Sequence, residues 1–506
     1  MRTLFAATLA NFLKVVVSTT YSTLCTRPTY SPGVGCSNNT SNPSIMPETK
    51  HYDAIIIGSG QAANPMAKYL AGQGMQTALI ERRYLGGTCV NTGCTPTKML
   101  IGSAKAAHSA RDADRFGVQV SDVKVDFSKV IKRKDDMVMH SRKNQQESLG
   151  NIEHLEIIYG HARFKDDKTL TIALNEGSDR TITADRIFIN TGADNLIPPV
   201  DGIDQVEIYD NRTIMELDEL PEHLIIIGGG YIGLEFGQMF RRFGSKVSIF
   251  HAPDRILDIE DEDICAEMTK ILTDEGIDIY TSCKITKIRR EGKNVVLSDE
   301  RGDGIQEDHR CSHILFATGR KPNTEGLGLE NTRIKTDDKG HIQANNKLET
   351  DAPGVYVMGD VKGGPQFTHV SYNDYLILKK NLFEGGNVTT EARPLTYTVF
   401  TDPQLGRVGL NEQQAKKQDI SYRVATMPMS KVARAQEMGD TRGLMKVLVG
   451  DDDRLLGASV LGMEGGELAG AFLFAMIGGV TYQQLRDAMI AHPTLLESVS
   501  NLFADL

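Results

Sequence analysis

HYDAIIIGSGQAA, residues 51–63, is the segment from which the architecture of this chain can be inferred. Its apolar run predicts a buried parallel strand, and Gly58, Gly60 and Ala63 give the G-x-G-x-x-G/A spacing of a turn into a helix. Glycine in that turn lets backbone N–H groups approach a pyrophosphate, and the helix N-terminus adds partial positive charge. The next predicted strand ends at Glu81, which is placed to accept hydrogen bonds from ribose hydroxyls. The segment therefore predicts a dinucleotide-binding unit.

The pattern occurs again in LIIIGGGYIG, residues 224–233, and predicts a second dinucleotide in the same protein. Its candidate contacts are Gly228, Gly230, Tyr231, Ile232 and Gly233.

The second unit differs from the first where its second strand ends, because Phe250-His251-Ala252 has no carboxylate there. An acid at that point favours NAD and repels a 2′-phosphate. We therefore expect NADPH, with His251 or Arg255 as phosphate contacts, and NADH stays the alternative.

Two further strands end in Thr-Gly turns, at Thr191-Gly192 and at Thr318-Gly319. We interpret both as chain crossings between the nucleotide domains, although tight turns would give the same pattern. Asp360 follows another buried strand and could hold polar groups of a flavin's ribityl chain, or could simply form a turn.

Cys89 and Cys94 lie in GGTCVNTGCTPTK, residues 86–98, directly after the first unit. A disulfide across this spacing can form if the start of a helix is distorted, and the glycines give that freedom. The helix N-terminus and Lys98 would both favour a thiolate, the form that is reactive in exchange and that donates charge to a flavin. A zinc site would need further thiols or histidines nearby, and none is in the local sequence.

Composition excludes several classes of protein. The chain has 506 residues, too many for one hydrophobic core, and its net charge of −10 with no long basic run argues against nucleic-acid binding. Seven cysteines, an odd number, do not predict a disulfide scaffold. The apolar run Leu4–Val17 is too short and too polar to span a membrane.

Residues 1–50 differ in composition from the rest, and three interpretations stay open. The segment could be a secretory signal, a transit peptide, or a disordered extension before a natural start at Met46; we favour the last. We accordingly expect a cytoplasmic protein, with an organellar or exported one as the alternative.

Together these motifs resemble the class I flavoprotein disulfide reductases, which include glutathione reductase, dihydrolipoamide dehydrogenase and mercuric reductase. The resemblance runs from about residue 50 to the end and includes a C-terminal His492-Pro-Thr-Leu-Leu-Glu497. The segment from Gly363 to Ser371 is similar to a mercuric-reductase-like group within that family.

The resemblance implies a role for each motif. FAD would occupy the first unit, with Gly87 and Thr88 among its contacts, and the nicotinamide nucleotide would occupy the second. Cys94 would be the charge-transfer thiolate and Cys89 the interchange thiol that meets the substrate. Further implied roles are an ion pair near the flavin for Lys98 and Glu235, a gate over the nicotinamide pocket for Tyr231, and an acid/base dyad that reaches into the partner subunit for His492 and Glu497.

The expected fold is α/β, with two Rossmann-like, three-layer ββα nucleotide-binding domains and a C-terminal α+β dimerisation domain. The expected bounds are 51–195 with 318–385 for FAD, 196–317 for NAD(P) and 386–506 for dimerisation. The expected function is NAD(P)H-dependent reduction, in a homodimer, of a disulfide or a soft metal ion. Alternatives are a dihydrolipoamide dehydrogenase that uses NAD and a flavoprotein redox sensor without turnover.

Overall fold

The computed structural model describes residues 49–302 and 304–506. The N-terminal extension predicted for residues 1–50 lies outside the described residues, apart from its last two positions.

The strands, in chain order, are β1 Lys50–Ile57, β2 Thr77–Glu81, β3 Leu155–Phe164, β4 Thr169–Leu174, β5 Asp179–Ile189, β6 Ala193–Asn195, β7 His223–Ile227, β8 Lys246–Phe250, β9 Ile277–Tyr280, β10 Cys283–Glu291, β11 Asn294–Arg301, β12 Gln306–Cys311, β13 His313–Phe316, β14 Arg320–Pro322, β15 Val355–Val357, β16 Thr396–Val399, β17 Gln404–Gly409, β18 Arg423–Pro428, β19 Leu444–Val449 and β20 Leu455–Gly462. The helices are α1 Ala63–Gly72, α2 Gly87–Asn91, α3 Cys94–Arg111, α4 Phe127–Gly150, α5 Tyr231–Phe243, α6 Glu262–Asp274, α7 Thr368–Phe383, α8 Glu412–Lys417, α9 Ala433–Glu437, α10 Gly465–Ile477, α11 Tyr482–Arg486 and α12 Ser498–Leu502.

The first nucleotide domain is built around β1, which pairs in parallel with β2 and β5. Strands β3 and β15 extend this parallel sheet, and β4 joins β3 to β5 as an antiparallel meander. Ala54 and Ile56 pack against α1, whereas Ile55 and Ile57 pack against the meander. Because β1 is covered on both faces, its sequence is a continuous apolar run rather than an alternating one.

The second nucleotide domain repeats this arrangement. Its parallel sheet has the order β13-β7-β8-β9. Leu224 and Ile226 pack among residues of α5 and α6, while Ile225 and Ile227 pack against the separate antiparallel sheet β10-β11-β12. Each nucleotide domain therefore has helices, a parallel sheet and an antiparallel layer, as predicted.

The two Thr-Gly crossings lie side by side, because β6 and β14 pair as an antiparallel ladder. After the second crossing the chain returns to the first domain, where β15 pairs with β5. The C-terminal part is a five-stranded antiparallel sheet, β16-β17-β20-β19-β18, on which α10 packs so closely that a Cβ at Gly406 would lie 2.0 Å from the carbonyl oxygen of Gly465. The predicted fold class is confirmed, and the residue bounds of the domains stay a prediction.

Candidate active site

A cleft of about 950 Å³ lies where the two nucleotide domains and the C-terminal sheet meet. Its lining brings together many of the residues singled out from the sequence: Gly58, Gly60, Glu81, Gly87, Thr88, Cys89, Cys94, Lys98, Thr191, Gly192, Tyr231, Ile232, Glu235 and Asp360. The cleft is therefore lined by residues of both nucleotide domains and of the C-terminal sheet.

The first glycine turn leaves no room for side chains. A Cβ at Gly58, where φ is +92°, would lie 2.4 Å from the carbonyl oxygen of Asn190, and one at Gly60 would lie 2.5 Å from Asn190 Oδ1. That Oδ1 is buried and has no hydrogen-bond partner among the described residues. Ala63 is the first residue of α1, so the turn leads directly into a helix. The turn thus offers bare backbone and an unused acceptor to a ligand.

Glu81 is buried at the end of β2 and organises the same turn. Its Oε2 accepts from the backbone nitrogen of Ser59 at 3.1 Å and from Ser59 Oγ at 2.6 Å, and its Oε1 accepts from the backbone nitrogen of Arg83 at 2.8 Å. A carboxylate has about four lone-pair positions, so one is left for a ribose hydroxyl. Its contact with ribose stays a prediction.

Asp360 is held by a residue that the sequence analysis did not single out. Arg320 Nη1 donates to Asp360 Oδ2 at 2.5 Å, and Arg320 Nη2 donates to the carbonyl oxygen of Ala193 at 2.8 Å. Arg320 directly follows Gly319, so the second crossing carries the cation that orients the acid.

Cys94 is the first residue of α3, and Cys89 lies in the short helix α2 before it. Both are free thiols, and Cys94 Sγ lies 3.2 Å from Thr368 Oγ1. The hydrogen bond from Cys89, helped by Thr368 and by the charge of Lys98, lowers the pKa of Cys94 to about 6. The same hydrogen bond, together with burial, raises the pKa of Cys89 well above its usual value. At neutral pH the pair is therefore a Cys94 thiolate that accepts a hydrogen bond from a Cys89 thiol.

Lys98 and Glu235 form the ion pair that the resemblance implied. Lys98 Nζ lies 2.6 Å from Glu235 Oε2, and the Glu235 side chain is 3% exposed. The second oxygen, Oε1, accepts from the backbone nitrogen of Phe400 at 2.9 Å, and Lys98 Nζ lies 4.5 Å from the centre of the Phe400 ring. The ion pair thereby joins α3, α5 and the C-terminal part of the chain.

Tyr231 is the first residue of α5, and its ring centre lies 5.6 Å from that of Phe367. Burial raises the pKa of Tyr231 to about 12, so its hydroxyl is neutral at physiological pH. Gly233, the third residue of α5, allows the helix to approach β7, since a Cβ there would lie 1.9 Å from the carbonyl oxygen of Gly228.

His251 is folded against the second glycine turn. Its Nδ1 accepts from the backbone nitrogen of Gly229 at 3.0 Å, and burial lowers the pKa of the ring. Nε2 therefore carries the proton, yet it is buried without a hydrogen-bond partner, as is Nε of Arg255. Asp258 Oδ1 lies 3.6 Å from Nε2, an acid that the sequence analysis did not expect so close.

His492 and Glu497 form the predicted dyad, with Nδ1 of the histidine 2.9 Å from each carboxylate oxygen. The His492 side chain is 69% exposed. Within the described part of the chain, neither residue lines the cleft that holds the cysteines.

Two absences apply to the described residues only. No group of three or more His, Cys, Asp or Glu side chains there is arranged to hold a metal ion. Among the same residues, no helix is long and apolar enough to cross a membrane.

Two dinucleotide units, a thiol–thiolate pair between them and a His–Glu dyad define a flavin-dependent disulfide oxidoreductase. Comparison with known proteins agrees. Residues 52–374 match the family described as pyridine nucleotide-disulphide oxidoreductase, and residues 395–503 match the dimerisation domain of that name. The chain belongs to the pyridine nucleotide-disulphide oxidoreductases, and its dimerisation domain supports a homodimer.

The relatives cover nearly the whole described chain. A probable pyridine nucleotide-disulfide oxidoreductase, RclA of Escherichia coli, is 37% identical over 90% of this chain and 99% of the relative. Mercuric reductase of Streptomyces lividans is 36% identical over 88% of this chain and 94% of the relative. The solved Cu(II) complex of the HOCl-induced flavoprotein disulfide reductase RclA from Escherichia coli superimposes with a TM-score of 0.82 at 36% identity, covering 90% of this chain and 99% of that one.

The family uses FAD and a pyridine nucleotide, and the residues of the first unit fit the flavin nucleotide. The bare turn at Gly58 and Gly60, the unused Asn190 Oδ1 and the Asp360 carboxylate all face the cleft. When bound, FAD relays an electron pair from the nicotinamide to the cysteine pair. The chain's part is to hold Cys94 as a thiolate, to keep a proton on Cys89 and to place Lys98 beside them.

We expect the Thr368→Val change to raise the pKa of Cys94, because the thiolate loses one hydrogen bond. A hydrogen bond to a charged group is worth about 1.5–3 kcal/mol, which is roughly one to two pKa units. The thiolate is present above its pKa and lost as pH falls through it. In the two-electron-reduced protein, the long-wavelength absorbance that a thiolate gives beside a flavin should therefore disappear at a higher pH than in the wild type.

Thr398→Val is the matched control, since Thr398 lines the same cleft. An identical titration midpoint in wild type and in Thr368→Val would show that this hydrogen bond does not set the pKa.

Proposed function

We propose that the protein is an NADPH-dependent reductase of small disulfides, working as a homodimer in which His492 of each subunit serves the cysteine pair of the other. The observation that carries the proposal is the His492–Glu497 dyad, exposed and outside the cleft of its own chain. Such a dyad serves disulfide exchange, which needs a base for the attacking thiol and an acid for the leaving sulfur.

The state of Cys89 supports the need for a base. Its pKa is raised by the hydrogen bond to Cys94 and by burial, so it holds its proton at neutral pH. The interchange thiol must lose that proton before it attacks a disulfide. The Glu497 carboxylate fixes the tautomer of His492 through Nδ1, which leaves Nε2 to exchange the proton.

The electrons and protons balance over one cycle. NADPH gives up a hydride, and its two electrons open the Cys89–Cys94 disulfide to one thiol and one thiolate. Cys89, deprotonated by His492, attacks one sulfur of the acceptor; a mixed disulfide forms and the other sulfur leaves with the proton. Cys94 then attacks Cys89, which restores the intramolecular disulfide and releases the second sulfur as a thiolate. The sum is NADPH, one proton and one disulfide converted to NADP⁺ and two thiols.

The second glycine turn favours NADPH. Neutral His251 presents a buried Nε2–H without a hydrogen-bond partner beside the turn. Nε of Arg255 likewise makes no hydrogen bond among the described residues, although Asp254 Oδ1 lies 4.0 Å from it. Buried donors without partners cost free energy unless a ligand satisfies them, and a 2′-phosphate offers acceptor oxygens. Asp258 opposes this preference, because its carboxylate lies 3.6 Å from the same Nε2.

A soft metal ion is the second candidate acceptor. The solved RclA structure that resembles this chain is described as a Cu(II) complex, and another relative is named mercuric reductase. Thiolates bind such ions well, and Cys94 is a thiolate at neutral pH. Reduction of a metal ion needs no proton on a leaving sulfur, so the two acceptors differ in how much they need His492.

Two alternative functions would give different results in assays of nucleotide preference and acceptor turnover. A dihydrolipoamide dehydrogenase would prefer NAD, and a redox sensor would turn over no acceptor. The cytoplasmic location stays a prediction.

We expect His492→Ala to separate the two acceptor classes in a steady-state NADPH oxidation assay. Loss of a general acid/base should lower kcat/KM for disulfides by about 100-fold or more, while Cu(II) and Hg(II) turnover should fall by less than about tenfold. His140→Ala, an exposed histidine on α4, is the control. Disulfide turnover that survives in His492→Ala would remove the dyad from the mechanism.

Mixed dimers test whether the site is shared between subunits. Cys89→Ser and His492→Ala homodimers should each lack disulfide reductase activity. After the two are unfolded and refolded together, each mixed dimer has one intact site, and random pairing should restore about a quarter of the wild-type activity. If each chain served its own cysteines, no mixed dimer would be active and the refolded mixture would stay inactive.

We expect His251→Glu to shift the preference from NADPH toward NADH, because a carboxylate repels the 2′-phosphate. The ratio of kcat/KM for NADPH to that for NADH should fall by about tenfold or more, equivalent to about 1.4 kcal/mol. His251→Gln keeps an acceptor for Gly229 without the charge and is the matched control. An unchanged ratio in His251→Glu would show that the 2′-phosphate does not bind there.

A further inference from the structure

Phe367 is the centre of an aromatic column that ends at Tyr231. Its ring lies 5.1 Å from the Tyr397 ring, at an interplanar angle of 8°, and 5.6 Å from the Tyr231 ring, at 39°. All three rings line the cleft. We call Tyr231, Phe367 and Tyr397 the aromatic column. It brings together the N-terminus of α5, the segment before α7 and β16.

The Tyr397 end of the column is anchored by buried charge. The Tyr397 hydroxyl donates to Glu260 Oε1, and Arg407 Nη1 donates to Glu260 Oε2 at 2.8 Å. The Glu260 side chain is fully buried, and that of Arg407 is 2% exposed. Arg407 also donates to Gln414 Oε1 at 2.8 Å and to the carbonyl oxygen of Gly409. Although Arg407 Nε is buried without a hydrogen-bond partner, breaking the contacts of Glu260 would leave a buried charge unpaired, so these contacts restrain the Tyr397 ring.

The buried Glu260–Arg407 pair is also connected to the second nucleotide unit. Glu260 ends the segment that begins at His251, and that segment is tied to the glycine turn because the backbone nitrogen of Leu257 donates to the carbonyl oxygen of Gly229 at 3.0 Å. Tyr231 follows the same turn at the start of α5. The column and the glycine turn thus hold Tyr231 from two sides.

We propose that Phe367 and Tyr397 are positioning residues that hold Tyr231 in its resting place over the nicotinamide pocket. This rests on the proposed function and on the role that the resemblance implies for Tyr231, a gate over the nicotinamide pocket. In that role Tyr231 would leave its contact with Phe367 when the nicotinamide ring enters, and part of the binding free energy would be spent on breaking one aromatic pair. The column therefore sets how tightly the nucleotide binds.

Phe367→Leu tests this by removing the ring that Tyr231 packs against. The dissociation constant of NADP⁺ for the oxidised protein, measured by calorimetry, should fall about two- to tenfold, the size expected for one aromatic pair. KM for NADPH should fall by the same factor without a rise in kcat. General damage to the site would weaken binding, whereas this change strengthens it. Phe367→Tyr keeps the ring and should restore the wild-type value.

Tyr209→Leu is the control, because it removes a ring pair of similar spacing, 5.2 Å from His313, outside the cleft. Equal dissociation constants in wild type and Phe367→Leu would overturn the proposal.

Tyr397→Phe replaces this test if Phe367→Leu does not retain flavin. The change keeps every ring and loses only the hydrogen bond to Glu260, so the dissociation constant should still fall about twofold. An unchanged dissociation constant in Tyr397→Phe would also overturn the proposal. Binding of the oxidised nucleotide needs no turnover, so failure of wild-type flavin reduction by NADPH would count against the proposed function alone. If the wild type binds NAD⁺ and not NADP⁺, the series is measured with NAD⁺.

Discussion

The ion pair of Lys98 with Glu235 is the interaction on which the geometry of the site depends. Cys94 lies one turn before Lys98 at the start of α3, and Tyr231 lies one turn before Glu235 at the start of α5. Joining Lys98 to Glu235 therefore fixes the separation between the Cys94 thiolate and Tyr231 at the start of α5. The backbone nitrogen of Phe400 donates to the other oxygen of Glu235, so the C-terminal sheet is held beside the same ion pair. A buried carboxylate that lost either partner would be costly, which keeps the three parts of the chain in register.

Helices α3 and α5 both begin at the cleft, and each N-terminus carries partial positive charge. At the start of α3, partial positive charge and Lys98 stabilise the Cys94 thiolate. At the start of α5, the same partial charge adjoins the second glycine turn, where a pyrophosphate is predicted to bind. One structural device, the exposed end of a helix after a glycine-rich turn, therefore serves covalent chemistry in one domain and nucleotide binding in the other.

The sequence was sufficient for the features that are local along the chain. Glycine spacing predicted both nucleotide turns, and the five-residue separation of Cys89 and Cys94 predicted a pair at a distorted helix start. It was insufficient for Thr368, Arg320 and Phe400, which reach the site from distant segments and follow no periodic pattern. The strand-end rule at His251 was also incomplete, because the following loop turns back and places Asp258 beside the imidazole. Such contacts are set by tertiary packing, which cannot be inferred from the pattern of one sequence.

The unequal protonation of the two cysteines affects the midpoint potential of the cysteine pair. Above pH 6, reduction of the disulfide takes up two electrons but only one proton, since Cys94 stays ionised while Cys89 is protonated. The midpoint potential of the couple then falls by about 30 mV per pH unit, half the slope of a dithiol that binds both protons. The potential of a small disulfide that takes up two protons falls by about 59 mV per pH unit, so the driving force delivered to such an acceptor decreases by about 30 mV for each unit of rising pH.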